Sequence, residues 1–142
     1  MGGEAGGDGG NLFIDEGAVS IGAAIVSDAA SGDNCVNSGG AVTSLGYNLE
    51  STDTCGFNAA GDLPNHDAKL GPLADNGGDT PTHLPADDSP ALDQIPAGVN
   101  RCGESINSDQ RGVTRPQGTG CDIGAVEMAV PQWAVFAPLV MR

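Results

Sequence analysis

The chain has 142 residues, with 19 acidic against 5 basic side chains for a net charge of −14, 23 glycines and only 4% aromatic residues. So few cations leave no basic stripe to neutralise phosphates, which excludes nucleic-acid binding, and an anionic membrane surface would repel the chain. Leu, Ile, Val and Phe supply 28 residues, just under the ~20% at which a highly charged chain becomes a candidate for disorder.

Two features oppose disorder. The Val, Ile and Leu residues cluster in short runs, and four cysteines are available as staples. Chains that cannot bury a thick core lean on disulfides or on stacked repeats. The composition therefore points to a thin, repetitive, stapled β fold.

Residues 1–10 are glycine-rich and acidic, after which Asn11-Leu-Phe-Ile-Asp begins an apolar stretch. Residues 18–26 (Ala-Val-Ser-Ile-Gly-Ala-Ala-Ile-Val) are short, β-branched and bounded by turn residues, which predicts a strand. Ser27 to Gly40 reads as a loop. Ile21-Gly-Ala-Ala-Ile25 then aligns with Leu45-Gly-Tyr-Asn-Leu49 at an offset of 24. A repeat of that length suggests one coil per unit, each coil burying its inward side chains only against a neighbour. Residues 1–57 are assigned to such coils.

The character changes from residue 58. Pro64, Pro72, Pro81, Pro85, Pro90 and Pro96 exclude long helices and most central strands. Asn76-Gly-Gly is a turn signal. Leu70, Leu73, Leu84, Leu92 and Ile95 recur throughout, so the segment reads as an ordered wrapping. Short strand signals return at Gly112-Val-Thr-Arg and Asp122-Ile-Gly-Ala-Val-Glu. Residues 58–128 are expected to form a loop-rich cap, followed by an apolar tail at 129–142. That tail has 14 residues interrupted by Pro131 and Pro138, whereas a spanning helix needs ~20. The tail is expected to act as a sorting determinant or as a final covering strand.

Cys35, Cys55, Cys102 and Cys121 contain no C-x-x-C pair and lie far from His66 and His83, a poor fit to zinc. Three disulfide connectivities are open. Nearest-neighbour pairing, Cys35–Cys55 and Cys102–Cys121, closes two loops of similar length and is the expected one. Disulfides imply an oxidising compartment. No basic and apolar leader is visible at the start, so the chain is expected to be part of a longer exported protein.

Five motifs follow one another in order: Ser44-Leu-Gly-Tyr-Asn-Leu, Leu70-Gly-Pro-Leu-Ala-Asp-Asn-Gly-Gly-Asp-Thr-Pro-Thr-His, Ser89-Pro-Ala-Leu-Asp, Asp109-Gln-Arg-Gly-Val-Thr-Arg-Pro and Cys121-Asp-Ile-Gly-Ala-Val-Glu. Together they resemble the choice-of-anchor Q domain of bacterial surface proteins. That resemblance implies a cap following right-handed parallel β-helix coils of the pectin-lyase-like type, with surface location and no reaction of its own. The export signal, most coils and a sortase-type motif with a full hydrophobic span are not present here, which leaves the anchoring mode unassigned.

Several clusters invite chemistry. Arg111 and Arg115 could contact a sugar acid, but in so acidic a chain they are expected to pair with Asp93, Asp109 or Asp122 as structural ion pairs. Asp75, Asn76 and Asp79 offer the oxygen ligands that calcium favours, without the alternation or terminal Glu of an EF-hand loop. Gly6-Gly-Asp-Gly-Gly-Asn-Leu-Phe-Ile echoes the calcium-binding nonapeptide in a single copy. His66 and His83 sit in proline-flanked loops outside any hydrolase motif. Asp87, Asp88 and Asp93 are neighbouring acids, but adjacency does not set the separation a glycosidase needs, and aromatic platforms for sugars are scarce.

The resulting expectation is an all-β chain: terminal coils of a right-handed parallel β-helix with a disulfide-stapled cap. Its expected role is non-catalytic and adhesin-like, with no cofactor, at the cell surface or secreted. Expected partners are the upstream coils and an extracellular polysaccharide or protein. The rivals are a fragment of a polysaccharide-degrading β-helix with its groove upstream, and a calcium-dependent binding module.

Overall fold

A computed structural model describes residues 9–129. The start of the nonapeptide echo, Gly6 to Asp8, and nearly all of the apolar tail lie outside the described residues.

Strands carry most of the regular structure, and among the described residues there is no α-helix. Two runs of three strands come first. β1 (Gly9–Ile14), β2 (Ala18–Ile21) and β3 (Ile25–Val26) are followed by β4 (Asp33–Asn37), β5 (Ala41–Ser44) and β6 (Leu49–Glu50). Each strand of the first run pairs in parallel with its counterpart in the second, giving three two-stranded sheets. The partners include Leu12 with Cys35, Ile21 with Ser44 and Ile25 with Leu49. Short β-branched strands separated by Gly, Asn and Asp corners cannot bury a face alone, so they stack on a neighbouring run.

The expected single strand over 18–26 is divided. Ala23 takes a left-handed conformation with φ 56° and breaks it into β2 and β3, and Tyr47 does the same one run later with φ 57°. The second run is one residue longer at this corner, so pairing shifts from an offset of 23 at Ile21–Ser44 to one of 24 at Ile25–Leu49. Gly46 absorbs the extra residue. Its φ is +88°, and a Cβ there would sit 2.6 Å from the Ala60 carbonyl oxygen, so only glycine fits.

Polar side chains also stack. Asn11 donates to the side-chain oxygen of Asn34 at 2.9 Å, and their neighbours Leu12 and Cys35 are register partners. The Asn34 amide nitrogen donates onward to the Ser51 and Thr52 hydroxyls, at 3.0 Å each. Asn48, fully buried, accepts from the Ala24 N–H and donates to the Ile21 carbonyl and to Asp62. Such ladders satisfy amides that would otherwise be costly to bury.

A third layer begins at Leu63, which bridges Leu49 in parallel on the side away from Ile25. The remainder up to residue 128 is loop-rich. β7 (Leu70–Ala74) and β8 (Thr82–Pro85) form an antiparallel hairpin around Gly77 and Gly78, both at positive φ. A 3-10 turn at Val99–Arg101 and isolated bridges such as Ile95–Cys121 complete it. The chain returns to the first run through the Gly124 N–H, which donates to the Ala23 carbonyl.

Among the described residues there are two apolar clusters with one disulfide in each. Cys35–Cys55 packs with Phe57 against Leu12, Ile21, Val26 and Val42. Cys102–Cys121 packs with Leu49, Ala91, Ile95 and Ile123. Among the described residues no helix is long and apolar enough to cross a membrane.

Candidate functional site

The densest gathering of charge is in the cap, where the Asp109–Arg115 motif meets Cys121–Glu127. Asp109 turns inward at the start of a tight loop. One of its oxygens accepts the Arg111 and Val113 N–H groups at 2.7 and 2.9 Å. The other accepts the Glu127 N–H at 2.9 Å. Arg111 sends both Nε and Nη2 onto that second oxygen at 2.9 Å, and Nη2 also reaches the Glu127 carbonyl. Burial works against ionisation of Asp109, but the N–H groups of Glu127 and Val113 and the Arg111 side chain outweigh it. They hold its pKa below the ordinary value.

Arg115 is buried and uses its two terminal nitrogens on backbone, bonding the Asp122 carbonyl at 3.1 Å and the Gly124 carbonyl at 2.7 Å. Its nearest carboxylate is that of Glu127, 3.7 Å from Nε. Of the three carboxylates expected to pair with the arginines, Asp109 therefore does so with Arg111. Asp122 meets Arg115 only through its main-chain carbonyl. Asp93 is turned elsewhere: its N–H donates to Asp122 at 2.7 Å and its carboxylate accepts the Gly120 N–H. Gly120 is required at that approach, since a Cβ would meet the Ile95 carbonyl oxygen at 2.6 Å.

Glu127 closes the fifth motif but was not expected as a partner of the arginines, yet it is fully buried and accepts the N–H groups of Gln117 and Asp122. Glu50 lies outside the five motifs. It ends β6 beneath the Cys35–Cys55 loop, where one oxygen takes the Thr52 and Thr54 hydroxyls at 2.7 Å each and the Thr54 N–H at 2.8 Å. The other takes the Cys55 N–H. Burial raises the pKa of Glu50, and these hydroxyl and N–H donors more than reverse the effect. The only sequence hint is the spacing Glu50-Ser-Thr52-Asp-Thr54-Cys55, which puts two hydroxyls within a turn of the acid.

The calcium candidates do not converge. Asp75 accepts the Gly77 N–H, Asn76 spends its amide on the Thr82 carbonyl and hydroxyl, and the Arg111 guanidinium lies against the Asn76 carbonyl at 3.4 Å. A guanidinium on that carbonyl opposes a divalent ion. Asp79 is exposed. Among the described residues no group of three His, Cys, Asp or Glu side chains could hold a metal.

His66 and His83 each place Nδ1 on a backbone carbonyl, of Pro64 and Gly71 respectively. Asp88 pairs on the surface with Lys69 at 2.6 Å, which lowers its pKa, while Asp93, also exposed, turns its carboxylate to the Gly120 N–H. These neighbouring acids thus point to different places. Beside the first strand run lies an open cleft of about 620 Å³, lined by Leu12, Ile21, Ile25, Val26 and by Leu70 and Leu73 of the hairpin.

Set against known proteins, the chain matches no family model, no curated protein and no solved structure.

Proposed function

We propose that this chain is a structural, surface-display segment of an exported protein: the last coils and cap of a right-handed parallel β-helix, adhesin-like and without catalysis of its own. The observation that carries the reading is the parallel pairing of three consecutive strands at offsets of 23 and 24 residues, the relation between neighbouring coils of a solenoid. The outer edges of β1, β2 and β3 have no strand partner among the described residues. They adjoin the apolar cleft, which supports upstream coils as the neighbour on that side. The resemblance to choice-of-anchor Q domains supports the surface location, and two disulfides fit an oxidising exterior. Arg111 and Arg115 are spent on Asp109 and on backbone carbonyls, which favours the structural role for the chain's most basic stretch.

The test is to express the chain behind an export signal, measure its accessibility to antibody and protease on intact cells, and assay polysaccharide turnover. The reading expects a disulfide-bonded, surface-accessible product that releases no sugar. Turnover by the chain itself, or retention inside the cell with four free thiols, overturns it.

A further inference from the structure

The cap interior holds more negative than positive charge. Asp109, Asp122 and Glu127 are each at most 8% exposed, and two guanidinium groups serve these three carboxylates. Arg111 sits on Asp109 at 2.9 Å and Arg115 stands 3.7 Å from Glu127. Among the described residues no cation reaches the Asp122 carboxylate, which accepts the N–H groups of Asp93 at 2.7 Å and Met128 at 2.6 Å. The titratable groups facing it are both acids, Glu127 and Asp93, and Arg115 touches Asp122 only at its carbonyl. An uncompensated charge away from water is costly, and taking up a proton from solvent is the cheapest relief.

We infer that Asp122 is the proton acceptor of this cluster, and that its protonation makes the cap from Asp109 to Met128 more stable in mildly acid than in neutral surroundings. The neighbouring charges and the burial agree on the direction. Burial raises the Asp122 pKa, the Met128 and Asp93 N–H bonds pull it back, Glu127 and Asp93 raise it again, and it ends at about 6 against an ordinary 3.8. A folded-state value above the unfolded one means the folded chain binds the proton more tightly, here by roughly a hundredfold. The resulting stabilisation grows as pH falls from above 6 towards 4, and is lost as pH rises through 6.

The experiment is a carbon-13 titration of side-chain carboxyls in the full oxidised chain from pH 3 to 8. It is paired with melting curves at pH 5 and 7.5 for the wild type, Asp122→Asn and Asp53→Asn. The inference expects an Asp122 midpoint near 6. It also expects a wild-type Tm that falls between pH 5 and 7.5, a fall preserved in Asp53→Asn and reduced in Asp122→Asn. Asp53 is exposed, so that variant reports the effect of overall charge alone. A midpoint below 4.5, or an undiminished fall in Asp122→Asn, overturns the inference. If Asp122→Asn does not fold, the wild-type midpoint decides.

Discussion

Replacing Asp109 by Ala removes the hub of the cap. The wild-type carboxylate is solvent-free at its side chain and accepts from three backbone N–H groups, those of Arg111, Val113 and Glu127, as well as from the Arg111 guanidinium. After truncation the Glu127 N–H is left in a buried site, and Arg111 keeps only its bonds to the Glu127 and Asn76 carbonyls. Removing one partner of a buried ion pair costs about 3–5 kcal/mol, because the other charge and its donors stay behind uncompensated. For a chain of this size that corresponds to a fall in Tm of roughly 10–20 °C. The assay is urea unfolding of the oxidised protein followed by far-ultraviolet circular dichroism. The midpoint should fall with little change in slope, since the surface exposed on unfolding is nearly the same. A parallel Asp88→Ala variant, which breaks only the exposed pair with Lys69, should leave the midpoint unchanged within error. A loss below about 1 kcal/mol in Asp109→Ala would refute the view that this carboxylate organises the cap.

Four further outcomes are expected. Glu50→Gln keeps the shape but sets an amide against the Cys55 N–H, which should cost about 1–3 kcal/mol in the same unfolding assay. Substituting both Cys35 and Cys55 by Ser opens a loop with a sequence separation of 20 and should cost on the order of 3 kcal/mol. In the wild type both bridges, at most 5% exposed, should resist reductant until denaturant is added, as read by thiol labelling. Stability should also collapse at strongly acid pH. Glu50 and Asp109 have folded pKa values below their unfolded ones, so their contribution is present above about pH 4–4.5 and is lost as pH falls through the folded values. A stability profile measured from pH 2 to 8 that stays flat below pH 4 contradicts this.

The all-β character and the cysteine pairing were legible without coordinates. Short stretches such as Ala18-Val-Ser-Ile21 and Ala41-Val-Thr-Ser44, bounded by glycine-containing corners, favour short strands. Six prolines between residues 64 and 96 remove the helical alternative. The offset of 24 was readable at Ile25 and Leu49, which are register partners, but Ile21 pairs with Ser44 and not with Leu45 as the echo implied. The shift to 23 at β2 and β5 was not readable, since it depends on where the backbone turns left-handed, at Ala23 and Tyr47, residues with no preference for that conformation.

The cap shows the same division. Composition and spacing by themselves determined that the arginines of 109–115 would sit among acids in a chain with a large excess of carboxylate. Which acid takes which arginine was decided by tertiary structure alone. Asp109 is two residues from Arg111 and closes a local loop, whereas Glu127 reaches Arg115 only because the bridges through Cys121 fold the chain back across the cap. A local pattern is fixed by a few dihedral angles. A contact across the cap, like the burial of Glu50 and Glu127, exists only once every intervening turn has been made.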